Sequence, residues 1–304
     1  ITKVGDNAVF SADVGGGTSI ARGNITTISS DGITVTSTAE AIDGKTTAGT
    51  SAFTVTGSDG AQTVTIGSTG TGTIAMGAGA DTVNVTATSG THTVTVTSEA
   101  STTNTVNFTG AGATNAIAMS GTAATTLDTS GSTQAYALTG ATNLLVVQNV
   151  NANINGEAYT GTVTYEATNT AAAAIQTGTA ATTIKAKGAD AAVALTIDAD
   201  AGVGGTAGAI TIADGGAVAG DIALTGVESN VTIANDFTGT GDVSITTADA
   251  SMTLALGTST TGTRAINAAL ADATRTVTVT GSDALALTST DTDLNLEAYA
   301  GTVT

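Results

Sequence analysis

Thr73-Ile-Ala-Met-Gly-Ala-Gly-Ala-Asp-Thr-Val-Asn-Val85 holds two short runs of alternating apolar and small residues with a Gly- and Asp-bearing turn between them. Alternation with period two over four or five residues is the pattern of a half-buried β-strand, and Gly and Asp are turn residues. The phrase recurs in both directions. Thr-Val-Thr-Ile stands at 63–66, Thr-Val-Thr-Val at 93–96, Thr-Val-Asn-Phe at 105–108 and Ala-Ile-Ala-Met at 116–119. Later copies are Asp-Ile-Ala-Leu at 221–224, Asp-Val-Ser-Ile at 242–245, Thr-Val-Thr-Val at 276–279 and Asp-Leu-Asn-Leu at 293–296. From residue 51 the apolar centres fall at 53, 64, 74, 83, 94, 106, 117, 127 and 136. Strands at this spacing fit a sandwich, a barrel or a solenoid. A repeat in which two strand–turn units span about 20–24 residues favours the solenoid. The expectation is an all-β protein, a repetitive parallel β-helix or β-solenoid, with tandem β-sandwich modules as the alternative.

Composition agrees. The 304 residues carry 3% aromatics and no Trp, so the apolar mass is Ala, Val, Ile and Leu, suited to thin stacked layers rather than a core of large rings. Thr and Val favour a pleated surface, and 39 Gly supply turns. There is no Pro, where average usage would supply about 15, so every backbone N–H is available to a ladder. Zero Cys excludes disulfides and thiol chemistry. No stretch is long and apolar enough for a membrane-spanning helix, and no membrane insertion is expected. The charge is −18, from 25 acidic and 7 basic residues. Neither nucleic acid nor anionic membrane is expected as a partner, since both need clustered Lys and Arg. Cations are the natural partners of Asp in Gly-rich turns. The alternative is that acidic turns keep a repetitive β-protein soluble and its edges apart.

Four segments are read along the chain: an irregular leading β segment over 1–50, a solenoid module over 51–165, an Ala- and Thr-rich joint over 166–190, and a second solenoid module over 191–304. A longer repeat overlies the short one. Glu157-Ala-Tyr-Thr-Gly-Thr-Val-Thr164 returns as Glu297-Ala-Tyr-Ala-Gly-Thr-Val-Thr304. Upstream, Leu138-Thr-Gly140 matches Val279-Thr-Gly281, and Ala223-Leu-Thr-Gly226 resembles Ala137-Leu-Thr-Gly140. The second copy stops at Thr304, which reads as an ending in mid-module, one stretch of a longer protein. Ala265–Asp272 is the one segment read as a short helix.

Met76-Gly-Ala-Gly-Ala-Asp-Thr-Val-Asn84 resembles the RTX nonapeptide Gly-Gly-x-Gly-x-Asp-x-apolar-x, the calcium-binding β-roll repeat. Gly77, Gly79, Asp81 and Val83 match, and Met76 replaces the first Gly. Gly-Asp echoes occur at Gly188-Ala-Asp190, Gly220-Asp221, Gly241-Asp242 and Gly281-Ser-Asp283, each read first as a plain turn before a strand. A second carboxylate group comprises Asp198, Asp200, Asp214, Asp221, Asp236 and Asp242. Asp198 and Asp200 share parity on an extended strand and so face one side. Stacked coils bring these acids round a cation, or else leave them splayed into solvent. The Ca²⁺ ligands expected are Gly77, Gly79, Asp81, Asp190, Asp198, Asp200, Asp214, Asp221 and Asp242.

Other chemistries are set aside. Gly44-Lys45-Thr46 lacks the first Gly, strand and helix of a phosphate loop. His92, the only histidine, shares parity with Val94 and Val96 and is read as capping an inward face. Nothing supports a Ser-His-Asp arrangement or a transition-metal site, so no enzyme is expected. Thr-x-Thr runs at 93–97 and 276–280 place hydroxyls on one face, the arrangement an ice-binding β-solenoid uses. Unequal spacing between rungs argues against a regular planar array. Asn-x-Thr sequons begin at Asn24, Asn84, Asn107 and Asn230, as chance provides in a Thr-rich chain.

The Ala/Thr/Gly/Val composition, absent Cys, acidic charge, the run Ile74-Ala-Met-Gly-Ala-Gly-Ala-Asp-Thr-Val83 and Leu224-Thr-Gly-Val-Glu228 look like bacterial S-layer proteins of the RTX class. The resemblance implies type I secretion, calcium-dependent folding outside the cell and assembly into a lattice on the bacterial surface. Its implied partners are neighbouring copies of the chain and cell-surface polysaccharide. The repetitive stalk of a large RTX-type surface adhesin is the alternative.

Overall fold

A computed structural model describes residues 19–20, 33–36, 41–44, 53–56, 63–66, 72–76, 80–85, 92–98, 104–108, 115–121, 124–129, 135–141, 144–150, 152–167, 173–186, 195–200, 206–214, 221–234, 243–247, 252–257, 266–270, 276–282, 285, 287–289 and 293–303. Every regular element among them is a β-strand, and every strand pair is parallel. The chain forms two compact units, Ile1–Gln148 and Asn149–Thr304.

Each unit is a β-solenoid in which successive strands are dealt alternately to two sheets. In the first unit one sheet runs Ser19–Ile20, Ala41–Gly44, Thr63–Ile66, Thr82–Val85, Asn104–Phe108, Ala124–Asp128 and Leu144–Val150. The other runs Ile33–Thr36, Phe53–Thr56, Gly72–Met76, His92–Ser98, Asn115–Gly121 and Tyr136–Gly140. Every strand therefore pairs with the strand two elements away. A right-handed or left-handed coil is the only connection that keeps such pairs parallel, since a hairpin would reverse the direction.

Register converts the alternating sequence into layers. Val83 pairs with Val106, Val106 with Leu127 and Leu127 with Val147, and all four side chains are buried. The facing sheet stacks Val94, Ile117 and Leu138 in the same way. Phe108 and Tyr136 meet between the sheets edge to face, with ring centroids 5.1 Å apart. Each such buried aliphatic side chain contributes about 1.5–3 kcal/mol of transfer free energy. Unequal loop lengths do not disturb this order: Val55 pairs with Ile74, and Ile197 with Leu224, at quite different separations in sequence. The uneven spacing that argued against regular rows is thus absorbed between the strands, although the rows themselves mix Thr with Ala.

The second unit repeats the plan. One sheet contains Val163–Ala167, Thr182–Ala186, Ile210–Asp214, Val231–Ile233, Met252–Ala255, Thr276–Thr280 and Asp293–Asn295. The other contains Ile154–Asn155, Ala173–Gln176, Leu195–Asp198, Ile222–Val227, Val243–Thr247, Ile266–Leu270 and Leu287–Ser289. The segment 166–190, expected as a joint, supplies strands to both sheets. Ile266–Leu270 is a strand, which corrects the helix read over Ala265–Asp272. Alanine favours helix locally, but pairing with Val243–Thr247 on one side and Leu287–Ser289 on the other outweighs that preference.

The longer repeat is a real structural unit. In both copies an Asn side chain caps the turn: Glu157 N–H donates to Asn155 Oδ1 at 3.1 Å, and Glu297 N–H to Asn295 Oδ1 at 3.0 Å. The Thr-Gly echoes coincide with the described glycines of positive φ, Gly140 at 87°, Gly226 at 63° and Gly281 at 102°. At Gly226 the ladder slips between Leu224 and Val227, the mark of a bulge. Tyr159 and Val163 of the first copy are buried, whereas Val303 of the second is 41% exposed.

Two tests follow from this packing. A Cβ on Gly178 would collide with the Tyr159 carbonyl oxygen, and backbone atoms held by coil stacking cannot yield. Gly178→Ala should cost about 3 kcal/mol, the upper end of overpacking penalties, read as a lower urea midpoint at unchanged slope. Tyr165 is fully buried and its hydroxyl makes no hydrogen bond. Desolvation, and then the neighbouring Tyr159, raise its pKa above the ordinary 10.0. The folded chain therefore holds this proton more tightly than the unfolded chain does. The associated stability is complete below pH 10 and is lost as pH rises above it. Tyr165→Phe should be neutral or stabilising by up to about 1 kcal/mol at pH 7 and should make the alkaline fall in stability shallower.

Candidate metal centre

Asp81 immediately precedes the strand Thr82–Val85 and shares parity with the buried Val83 and Val85. Alternation therefore carries its side chain inward, and it is only 2% exposed. One coil later the same place is taken by Asn104, and one coil after that by Thr125, which pairs with Asn104. Both are fully buried. Three successive coils thus stack polar side chains where the neighbouring columns are aliphatic.

The contacts are specific. Asp81 N–H donates to Asn104 Oδ1 at 2.9 Å, and Thr105 N–H donates to the Asp81 carbonyl at 2.8 Å. Asn104 Nδ2 and Thr125 Oγ1 make no hydrogen bond. Each such group costs about 1–3 kcal/mol to bury. An ionised carboxylate costs more unless a cation, a donor or a proton compensates it.

The carboxylate, amide and hydroxyl oxygens of Asp81, Asn104 and Thr125 are hard donors of the kind calcium takes. They bring one formal charge, where stacked RTX-type turns bring one per turn. Asn104 stands one coil from Asp81 and Thr125 two coils, at about 4.8 Å per coil. Only Asp81 and Asn104 are therefore near enough to share one Ca²⁺, and further oxygens would have to complete its shell. Gly77 and Gly79, the other matched turn residues, lie outside the described residues, as do Asp190, Asp236 and Asp242.

The second acidic group is dispersed. Asp198 ends the strand Leu195–Asp198 half-buried, Asp200 is exposed, and the intervening Ala199 is buried. The two acids face outward together, as their parity requires. Asp198 Oδ1 accepts the N–H of Asp200 at 3.3 Å, so part of its hydrogen-bonding capacity is spent on the local turn. Asp221, exposed, precedes Ile222–Val227. Because Leu195 pairs with Ile222 and Asp198 with Thr225, Asp221 lies at the other end of this strand pair from Asp198. Asp214 ends a strand of the other sheet. Among the described residues no three acidic or histidine side chains gather into a metal-binding group. The side chain of His92 lies outside the described residues, and its backbone pairs with Gly72 and Asn115.

Asn104 and Thr125 are additions that sequence reasoning missed. The signal was present: Asn-Thr-Val-Asn at 104–107 and Thr-Thr-Leu-Asp at 125–128 follow Asp-Thr-Val-Asn at 81–84 at coil intervals. Comparison of the chain with protein-family models, curated proteins and solved structures gives no significant match.

Substitutions separate the two neutral members of the column. Asn104→Ala strands the Asp81 N–H and should cost about 1–3 kcal/mol. Thr125→Val replaces a hydroxyl that makes no hydrogen bond with a methyl and should be neutral or stabilising. Urea unfolding of both variants measures the difference.

Proposed function

We propose that the chain is a structural, non-enzymatic subunit of an extracellular bacterial surface lattice of the S-layer kind, and that weakly bound calcium stabilises it. The observation that carries this reading is the buried column Asp81–Asn104–Thr125, which begins on the residue that the RTX-type nonapeptide directs at calcium. Asp81 would supply the charge and Asn104, one coil away, a neutral oxygen, with further oxygens completing the shell. A site with one carboxylate belongs with extracellular modules, whose dissociation constants are on the order of 10⁻⁴–10⁻³ M. Such a site fills only where calcium is abundant, which is outside the cell.

The scaffold supports the same reading. A stack of coils gains stability from each neighbour contact and needs no large core. A net charge of −18 makes copies repel one another until cations screen them. Calcium therefore acts twice in this proposal, once inside the coil and once between chains.

Calcium titration followed by circular dichroism, calorimetry and negative-stain microscopy tests it. Calcium should raise the unfolding temperature and promote ordered sheets, and Asp81→Ala should remove most of the thermal shift. Asn104→Asp, which restores a second acidic turn, should be less stable than wild type in chelator and at least about tenfold tighter for calcium. If chelation changes neither β-structure nor assembly, the calcium part of the proposal is wrong.

A further inference from the structure

The two sheets of the first unit present different chemistry outward. One carries Asn84, Asn107, Asp128 and Gln148 in a single register column, with Asn107 Nδ2 donating to Asn84 Oδ1 at 2.8 Å. On the other sheet, Thr73 pairs with Thr93, Thr93 with Ala116 and Ala116 with Ala137. The next outward column runs Ala75, Thr95, Ala118 and Thr139. These residues are half-exposed to exposed. At the backbone level the rule extends further, for every outward register position from Phe53–Thr56 to Tyr136–Gly140 is Thr, Ala or Ser. No ionisable residue occupies one, in a chain with 25 acidic residues and 7 basic ones. The corresponding face of the second unit does not share this property, since Asp198 stands there between Gln176 and Thr225.

We infer that this uncharged Thr/Ala face is a self-association surface, and that it takes the same face of a second copy of the chain. Charge selects the partner. At a net charge of −18, two copies repel wherever acids meet, and like charges across an interface cost several kcal/mol. A face without charges is where copies approach without that cost, and meeting like with like satisfies a two-fold contact. Shape agrees. Side chains no larger than Thr let sheets approach to about 10 Å, and rows repeating every 4.8 Å or so along the stack give ridges that interdigitate. Methyl groups of Thr and Ala supply the buried apolar area, and Thr hydroxyls pair across it. The inference deepens the lattice reading by naming one of its contacts, but it is tested separately.

Sedimentation velocity of the full chain over a wide concentration range is the first measurement. Wild type should dimerise. Thr95→Glu/Ala118→Glu should weaken the dimer by about a hundredfold or more, whereas Thr105→Glu/Thr126→Glu on the opposite sheet should leave it unchanged. Circular dichroism establishes that each variant keeps its β-structure. A second measurement covers the case in which the double glutamate variant misfolds. The chain has no Cys, so Ala118→Cys and Thr126→Cys are clean single-thiol probes, and a short bismaleimide should join two copies only at Ala118→Cys. A wild type that stays monomeric, a folded Thr95→Glu/Ala118→Glu variant that dimerises normally, or crosslinking equal at both positions overturns the inference. So does thermal hysteresis by a monomer that the glutamates abolish, which would assign the face to ice. Microscopy in calcium separates this claim from the lattice itself. Ordered sheets that persist in the folded glutamate variant overturn the inference and leave the lattice standing. Dimers that never extend into sheets sustain the inference and sink the lattice.

Discussion

Backbone pairing in register, coil upon coil, is the interaction on which everything else in this molecule depends. In a parallel ladder alternate residues direct both their N–H and their C=O to opposite neighbours. Each strand therefore donates to and accepts from the coil on either side, and no residue in a strand interior can lack a donor. The absence of Pro over 304 residues satisfies that condition throughout. Side chains between strands also accept across coils: Asn230 Oδ1 from the strand N–H of Thr253 at 2.8 Å, and Glu228 Oε2 from the loop N–H of Ala207 at 3.0 Å. Stability then adds up along the stack instead of arising in one centre.

Stacking in register also makes each residue the immediate neighbour of its counterparts, about 4.8 Å away. That proximity decides what a column tolerates. Aliphatic residues stack on aliphatic residues, and Asn84 stacks on Asn107 with a side-chain hydrogen bond. Charges obey a stricter rule. Glu166 pairs with Lys185, Asp128 with Asn107 and Gln148, and Asp198 with Gln176 and Thr225. Among the described strand pairs no acid is registered on an acid, despite their large excess. Facing carboxylates would repel along the whole column. The acids are therefore spread out, which is why the group from Asp198 to Asp242 does not converge among the described residues.

Much of this was legible in the sequence, for a physical reason. Alternation is local, and the centres at Val83, Val94, Val106, Ile117 and Leu127 are each the buried middle of a strand. The Thr-Gly echo was legible too, because Gly140, Gly226 and Gly281 all take a positive φ that other residues resist. What could not be read were properties of the stack. Ala265–Asp272 looked helical because its neighbours in space, Val243–Thr247 and Leu287–Ser289, are distant in sequence. The division between Gln148 and Asn149 falls inside a strand-forming run with no change in composition. Asn104 and Thr125 drew no notice because a buried polar column exists only once three coils are superposed.

That column has a consequence peculiar to a stack. In a globular core a buried carboxylate can be relieved by small shifts of surrounding side chains. Here the Asp81 backbone is held at both levels, its N–H on Asn104 Oδ1 and its carbonyl on Thr105 N–H, so the side chain has only its own rotation with which to adjust. Whatever compensates the carboxylate, a donor, a proton or a cation, does so beside this held backbone. Any group that does so strengthens the contact between two coils, and in a one-dimensional array the weakest such contact limits how far cooperative folding spreads. An acidic residue at this position acts on the contact between two coils, and so on the stack. A carboxylate of identical chemistry on the outer face, such as Asp200 beside its solvent-facing turn, governs only the turn in which it sits.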